Sequence, residues 1–127
     1  MDKKLLICDD EPYIRMLLEQ TLEDLEDEDV ELLIGKDGEE GMNLILEHRP
    51  QLVFMDVMMP KMSGFEVCHV IKKEKKIEGV HIVLLTAKGQ ESDREKGLSM
   101  GADNYITKPF DPDTLYEYAC QHLGIDD

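Results

Sequence analysis

Short, mostly apolar runs recur along the chain, and each ends abruptly in polar or turn-forming residues. Such runs are too short for helices and are typical of buried strands. The segments between them carry apolar residues at the spacing of one helix face. The pattern predicts five strands, over residues 5–8, 30–34, 52–56, 80–85 and 102–106.

Turn and capping residues mark where the intervening helices begin and end. Pro12 and Pro112 suit the first position of the first and fifth helices, where the missing N–H does no harm. Capping-box patterns at residues 37–40 and 63–66 start the second and third helices. Gly124 is a helix stop. The chain therefore alternates strand and helix five times.

The fourth helical segment, residues 88–100, is unusual in its pattern. It offers only Leu98 and Met100 as large apolar anchors, and it also contains Gly97. A helix needs an apolar face to pack on a sheet. We expect this helix to be weakly held.

Alternating strands and helices predict a parallel sheet covered on both faces, with right-handed crossovers. Length and pattern favour an α/β, flavodoxin-like fold with five strands in the order 2-1-3-4-5, doubly wound by five helices. At 127 residues, the chain is predicted to be a single domain over residues 1–127.

The charge balance excludes several classes of partner. The net charge is −15, with 29 acidic residues against 14 Lys and Arg, which argues against direct binding to nucleic acid or an anionic membrane. No apolar run approaches the roughly 20 residues of a membrane span. Cys8, Cys68 and Cys120 form neither a disulfide framework nor a CxxC metal motif, so we expect reduced thiols and a cytoplasmic protein.

Polar residues follow four of the predicted strands at the same edge of the sheet. They are Asp9, Asp10, Asp56, Thr86 and Lys108. Crowded carboxylates are costly unless a cation neutralises them, and oxygen ligands suit Mg²⁺. An aspartate can act as a covalent nucleophile, while a lysine and a hydroxyl stabilise phosphoryl oxygens. The set predicts a carboxylate that accepts a phosphoryl group.

Each of these signals is weak when it is taken alone. Asp9 and Asp10 fit a helix cap, Thr86 fits a turn, and Lys108 fits an ordinary surface position. The coincidence of all five positions at one edge is what favours a site.

Motifs along almost the whole chain resemble the receiver domain of two-component response regulators. They occur in order: Cys8-Asp9-Asp10-Glu11-Pro12, Met55-Asp56-Val57-Met58-Met59-Pro60, Ser63-Gly64, Leu85-Thr86-Ala87, Gly101-Ala102-Asp103 and Tyr105-Ile106-Thr107-Lys108-Pro109-Phe110.

The resemblance implies that Asp56 accepts a phosphoryl group from the phosphohistidine of a sensor histidine kinase or a phosphotransfer protein. It implies a Mg²⁺ site, with Mn²⁺ as a substitute, formed by Asp10, Asp56 and the Met58 backbone carbonyl. Asp9 would act mainly through the water shell of that ion. Such a domain catalyses its own phosphorylation and dephosphorylation and is not a turnover enzyme.

The same resemblance assigns roles further along the chain. Thr86 and Lys108 would bind the phosphoryl oxygens, and Tyr105 would be an aromatic switch that rotates when Thr86 moves. The Lys108–Pro109 bond is expected to be cis. The fourth helix, fifth strand and fifth helix would signal to a downstream effector protein. We expect a monomer before phosphorylation. We also expect a receiver domain that is not followed by an output domain.

Two side chains are expected to tune hydrolysis of the phosphorylated form. By the resemblance, Met58 lies beside the path of the attacking water, and its thioether accepts hydrogen bonds only weakly. Lys88, on the other flank, would shield the phosphoryl group. The alternative is that both side chains point to solvent and matter little.

The chain also departs from relatives that dimerise through charged pairs on the fourth helix, fifth strand and fifth helix. Asn104 stands where those relatives have Asp, Thr114 where they have Glu, and Tyr118 where they have Arg. We therefore expect this dimer to be disfavoured.

Two other functions fit the same fold. A Mg²⁺-dependent phosphatase with Asp56 as nucleophile would need a second acid two residues later, where the chain has Met58. A flavin or nucleotide binder would need a phosphate loop after the first strand, where Asp9-Asp10-Glu11 would repel a phosphate.

Overall fold

A computed structural model describes residues 3–87 and 91–125, with side chains described from residue 94 in the second range. It contains a parallel sheet of five strands in the order β2-β1-β3-β4-β5, which confirms the predicted topology. The strands are β1 (Lys3–Cys8), β2 (Val30–Gly35), β3 (Leu52–Asp56), β4 (His81–Ala87) and β5 (Asn104–Lys108). The helices are α1 (Pro12–Leu22), α2 (Gly38–His48), α3 (Gly64–Cys68), α4 (Glu91–Ser99) and α5 (Pro112–Leu123).

The last two strands begin and end later than their apolar runs indicated. In the parallel ladder Thr86 lies opposite Thr107, and Ala87 lies opposite Lys108. Pairing with a neighbouring strand thus extends β4 and β5 through polar residues. Lys108 is consequently the last residue of a strand and not part of the loop that follows.

Alternating residues of the strands build two apolar cores, one on each face of the sheet. In β1, Leu6 and Cys8 join the core under α2 and α3, whereas Leu5 and Ile7 join the core under α1 and α5. Successive strand side chains point to opposite faces, so a fully apolar strand is expected where both faces are covered. The central strand Leu52–Asp56 is buried throughout.

Local capping fixes where the helices start. At α3, the predicted capping box is complete: Ser63 Oγ accepts from the Glu66 N–H, and the Glu66 carboxylate accepts from the Ser63 N–H. At α2, Asp37 caps the Glu40 N–H as predicted, but the Glu40 carboxylate accepts from the Lys36 N–H instead of closing the box.

Two connections differ from a simple alternation of strands and helices. The acidic run after α1 forms a 3-10 helix, Glu23–Glu28, and Leu25 within it is buried in the core. After α3 the chain continues as a π-helical segment, His69–Glu74. The ammonium of Lys72 in this segment lies 2.8 Å from the Asp103 carboxylate and ties it to the chain before β5.

The predicted anchoring of α4 is partly wrong. Met100 packs against the core, but Leu98 is 44% exposed, while Gly97 is buried. No helix within the described ranges is long and apolar enough to span a membrane.

Candidate functional site

The site lies at the carboxyl edge of the sheet, where the ends of β1, β3 and β5 deliver charged side chains. Asp9 directly follows β1, Asp56 is the last residue of β3, and Asp9 and Asp56 are both buried. Because β1 and β3 pair in parallel, their ends meet at the same edge. The prediction that Asp9 and Asp56 would lie together is confirmed by this geometry.

Lys108 links the carboxylates of this edge. Its Nζ lies 3.0 Å from Asp56 Oδ1 and 3.2 Å from Asp9 Oδ2. The Glu11 carboxylate lies 3.7 Å away on the exposed side. One ammonium therefore faces three carboxylates, which leaves this edge with a net negative charge.

Asp9 is held rigidly by groups on both sides. It is fully buried, and its Oδ1 accepts a hydrogen bond from the Glu11 N–H at 2.9 Å. Arg15 donates to its backbone carbonyl at 2.8 Å. Both carboxylate oxygens of Asp9 are thus already engaged, one by the start of α1 and one by Lys108.

A cleft of about 380 Å³ opens over Asp56. Its lining residues come from the ends of β1, β3, β4 and β5: Asp10, Glu11, Asp56, Val57, Met58, Leu85, Ala87 and Lys108. Met58 is 74% exposed at the rim of this cleft. A small anionic group can therefore reach Asp56 from solvent.

The acids that lie closest together in the structure differ from the predicted set. Carboxylate oxygens of Asp9, Glu11 and Asp56 lie within 4.8 Å of one another, whereas Asp10 lines the cleft outside that group. Sequence reasoning missed Glu11, although its position directly after Asp10 was a usable signal. Oxygen donors alone suit Mg²⁺, and the surplus negative charge favours a cation, so the residues fit that ion.

Burial raises the pKa of the two buried carboxylates of the site. Desolvation raises the pKa of Asp56 to about 6; the charge of Asp9 adds to this rise, and Lys108 opposes it. Burial likewise raises the pKa of Asp9. Burial alone would lower the pKa of Lys108, but its hydrogen bond to Asp56 and the charges of Asp56 and Asp9 raise it overall. Asp56 is therefore mostly ionised at neutral pH and faces a charged lysine.

The other predicted residues occupy distinct positions. Thr86 is buried between two cleft-lining residues of β4, and Tyr105 is partly exposed in β5. Thr86 and Tyr105 lie on the same face of the sheet, because Tyr105 pairs with Leu84, two residues before Thr86. The Lys108–Pro109 bond is cis, as expected. Lys88 lies outside the described residues.

The three departures from dimerising relatives all have partners within the chain. Asn104 Nδ2 donates to the Tyr118 hydroxyl at 3.2 Å, and that hydroxyl lies 2.6 Å from His81 Nε2. Thr114 donates to the capping carboxylate of Asp111 at 3.1 Å. These side chains stabilise the packing of α5 on the sheet and the start of that helix.

The raised pKa of Asp56 predicts a distinctive pH dependence of stability in metal-free protein. The folded state binds the Asp56 proton more tightly than the unfolded state does, so protonation of Asp56 stabilises the fold. This stabilisation is present below about pH 4 and is lost as pH rises through about 6. Asp56→Asn should therefore have a free energy of unfolding about 3 kcal/mol above that of wild type near pH 8. Urea denaturation in chelator at several pH values measures this difference. An unchanged difference between about pH 4 and pH 8 would contradict it.

Comparison with known proteins gives a consistent result. Residues 5–119 match the family model described as the response regulator receiver domain. A Cyanophora paradoxa protein named "Probable transcriptional regulator ycf27" is 43% identical over 113 residues, which cover 89% of this chain and 45% of that protein. The chain thus spans less than half the length of this curated relative.

Solved structures agree with the sequence match. The BeF3-activated DrrB receiver domain superposes with a TM-score of 0.83 at 31% identity, covering 98% of this chain and 99% of that one. The receiver domain of Ssk1, in its co-crystal structure with the histidine phosphotransfer signalling protein Ypd1 of Saccharomyces cerevisiae, gives 0.83 at 27% identity, covering 97% and 90%. With the family model matched over most of its length, the chain belongs to the response regulator receiver domain family.

Proposed function

We propose that this chain accepts a phosphoryl group on Asp56 from the phosphohistidine of a sensor histidine kinase or phosphotransfer protein. The observation that carries the proposal is the buried Asp56 carboxylate, held 3.0 Å from the Lys108 ammonium at the floor of an open cleft. The likeness to the Ssk1 receiver, which was crystallised with a histidine phosphotransfer protein, supports this class of donor.

The transfer forms one bond and breaks one bond. An Asp56 oxygen attacks phosphorus, the phosphorus–nitrogen bond of the phosphohistidine breaks, and the imidazole leaves with that electron pair. Lys108 stays beside the reacting oxygen as a fixed positive charge, and Thr86 would bind a phosphoryl oxygen after a local movement. Because the phosphoryl group ends on Asp56 of the chain itself, the chain acts as a phosphoacceptor and not as a turnover enzyme.

Asp10, Asp56 and the Met58 carbonyl would hold Mg²⁺ or Mn²⁺, with Asp9 acting through the water shell of the ion. The cation would supply positive charge that offsets the charge of the phosphoryl oxygens. Support comes from Asp10, which lines the cleft, and from Asp9, whose two oxygens are already engaged by Glu11 and Lys108.

Treatment with acetyl phosphate and Mg²⁺, followed by intact-mass measurement, tests the proposed function. A receiver gains one phosphoryl group per chain, and excess chelator prevents the gain. Continuous release of phosphate would instead favour a phosphatase, and no covalent change would favour a flavin or nucleotide binder.

The assignment of Asp10 and Asp9 predicts an order of magnesium affinities. Asp9→Ala should weaken Mg²⁺ binding about tenfold, because an outer-shell partner is lost. Asp10→Ala should weaken it by a larger factor, because a direct ligand is lost. A Mg²⁺ titration of both variants, with the exposed Asp27→Ala as control, gives the order. The reverse order would refute the assignment.

The phosphorylated form is expected to be long-lived. Met58 stands at the rim of the cleft, and its thioether, a weak hydrogen-bond acceptor, would orient an attacking water poorly. Met58→Asn combined with Lys88→Glu should therefore speed the loss of the phosphoryl group in a dephosphorylation time course. Equal or slower loss in the double variant would remove the argument.

We further propose that the signal leaves through α4, β5 and α5, towards an effector protein, from a monomer in the unphosphorylated state. Tyr105 would change position when Thr86 moves towards the phosphoryl group, since both lie on the face covered by α4. The buried thiols of Cys8, Cys68 and Cys120, which form no disulfide with one another, suit action in the reducing cytoplasm.

A further inference from the structure

Helix α4 is attached to the rest of the fold in an unusual way. Among its described side-chain positions, 94–99, only Gly97 is buried. A Cβ atom at Gly97 would lie 2.8 Å from Leu84 Cδ1 and 3.5 Å from Phe65 Cε1. The backbone of α4 therefore sits directly on the core through one glycine, without an apolar stripe beside it.

Two cations that precede this glycine in α4 contact aromatic rings. The Arg94 guanidinium lies 4.7 Å from the centre of the Tyr105 ring, and Lys96 Nζ lies 4.8 Å from the centre of the Phe65 ring. A cation over an aromatic face is attracted by the ring's quadrupole. These contacts stand where a typical amphipathic helix would use apolar side chains.

The two rings differ in their surroundings. Phe65 is buried at the start of α3 and belongs to the apolar core. Tyr105 is partly exposed in β5 and shares the α4-covered face of the sheet with Thr86. A change in the position of the Tyr105 ring must therefore alter its contact with Arg94, whereas the Lys96 contact is independent of it.

We propose that Arg94 is a positioning residue that holds the Tyr105 ring in the described arrangement and thereby couples α4 to the phosphorylation site. This inference rests on the proposed function, because it requires Tyr105 to move when Asp56 carries a phosphoryl group. By linkage, free energy that Arg94 contributes to the resting arrangement opposes binding of a phosphoryl group. Loss of the contact favours the phosphorylated arrangement.

Beryllofluoride with Mg²⁺, titrated by NMR, is the probe for this coupling. Arg94→Gln should tighten the apparent affinity of the chain for beryllofluoride about two- to fivefold, which corresponds to the energy of an exposed cation–π contact. Arg94→Lys keeps a cation over the ring and should stay near wild type. Lys96→Gln makes the same charge change on the same helix and should have no such effect.

A double-mutant cycle decides between positioning and general loosening of α4. In a Tyr105→Leu background, Arg94→Gln should no longer change the beryllofluoride affinity. The proposal is overturned if Arg94→Gln has no effect, if Lys96→Gln has an equal effect, or if the effect of Arg94→Gln persists without the Tyr105 ring.

A ligand-free measurement separates this inference from the proposed function. Amide hydrogen exchange in α4 should be faster in both Arg94→Gln and Tyr105→Leu, and no faster still in the double variant. If wild type fails to bind beryllofluoride or to accept a phosphoryl group, the proposed function fails. If the two substitutions instead have additive effects on hydrogen exchange in α4, the Arg94–Tyr105 coupling is overturned and the proposed function is not.

Discussion

Asp56→Asn should leave no detectable phosphoryl gain from acetyl phosphate and Mg²⁺, while the wild-type chain gains one group. The amide occupies the same space but lacks the carboxylate that attacks phosphorus. Asp9, the other buried acid at this edge, is not equivalent, because the Glu11 N–H and Lys108 already engage its two carboxylate oxygens. Intact-mass measurement over a time course gives the result.

Controls distinguish lost chemistry from lost structure. Asp56→Asn removes a buried charge whose burial is costly, so the metal-free variant should be more stable than wild type at neutral pH. Asp27→Asn, at an exposed position of the 3-10 helix, should be phosphorylated like wild type. Full labelling of Asp56→Asn would show that another residue is the acceptor.

Gly64→Ala should destabilise the fold by about 2–4 kcal/mol, a large effect for adding one methyl group. A Cβ atom at Gly64 would lie 2.4 Å from the Asp56 carbonyl oxygen and 3.0 Å from Leu84 Cδ2. The Gly64 N–H also donates to the Val57 carbonyl at 2.8 Å, which fixes the loop after β3. The backbone next to Asp56 must shift to accept alanine, so the phosphorylation rate should fall as well.

Gly79→Ala is the matched control for this substitution. Gly79 has φ +83°, but no neighbouring atom lies within 4 Å of the position that an added Cβ would occupy, so alanine there adds backbone strain without a clash. The expected cost is about 1 kcal/mol, with phosphorylation unchanged. Urea denaturation of both variants gives the comparison, and equal costs would show that the close approach of Gly64 to Asp56 is not what matters.

Much of the fold could be predicted because its causes are local or topological. Apolar runs, capping residues and turn residues act over a few positions, and they place five strands and five helices in the observed order. Right-handed crossovers then restrict the strand order. The same reasoning places Asp9, Asp56 and Lys108 at one edge of the sheet from the order of the residues alone.

Distances between residues far apart in the chain depended on the packed sheet. Asp9 and Lys108 are 99 positions apart, and strand register decides that their side chains meet. Register also places Lys108 within β5, and the start of α1 brings Glu11, not Asp10, into the tightest acidic group.

By itself, the sequence determined the alternation of strands and helices and the residues that reach the site, since both follow from patterns a few residues long. Only the tertiary structure decided how α4 is attached. Gly97 approaches the core directly and Arg94 covers Tyr105, while the apolar Leu98 remains exposed. Those contacts follow from the shape of the surface that α4 packs against, and that surface exists only after β4, β5 and α3 have assembled.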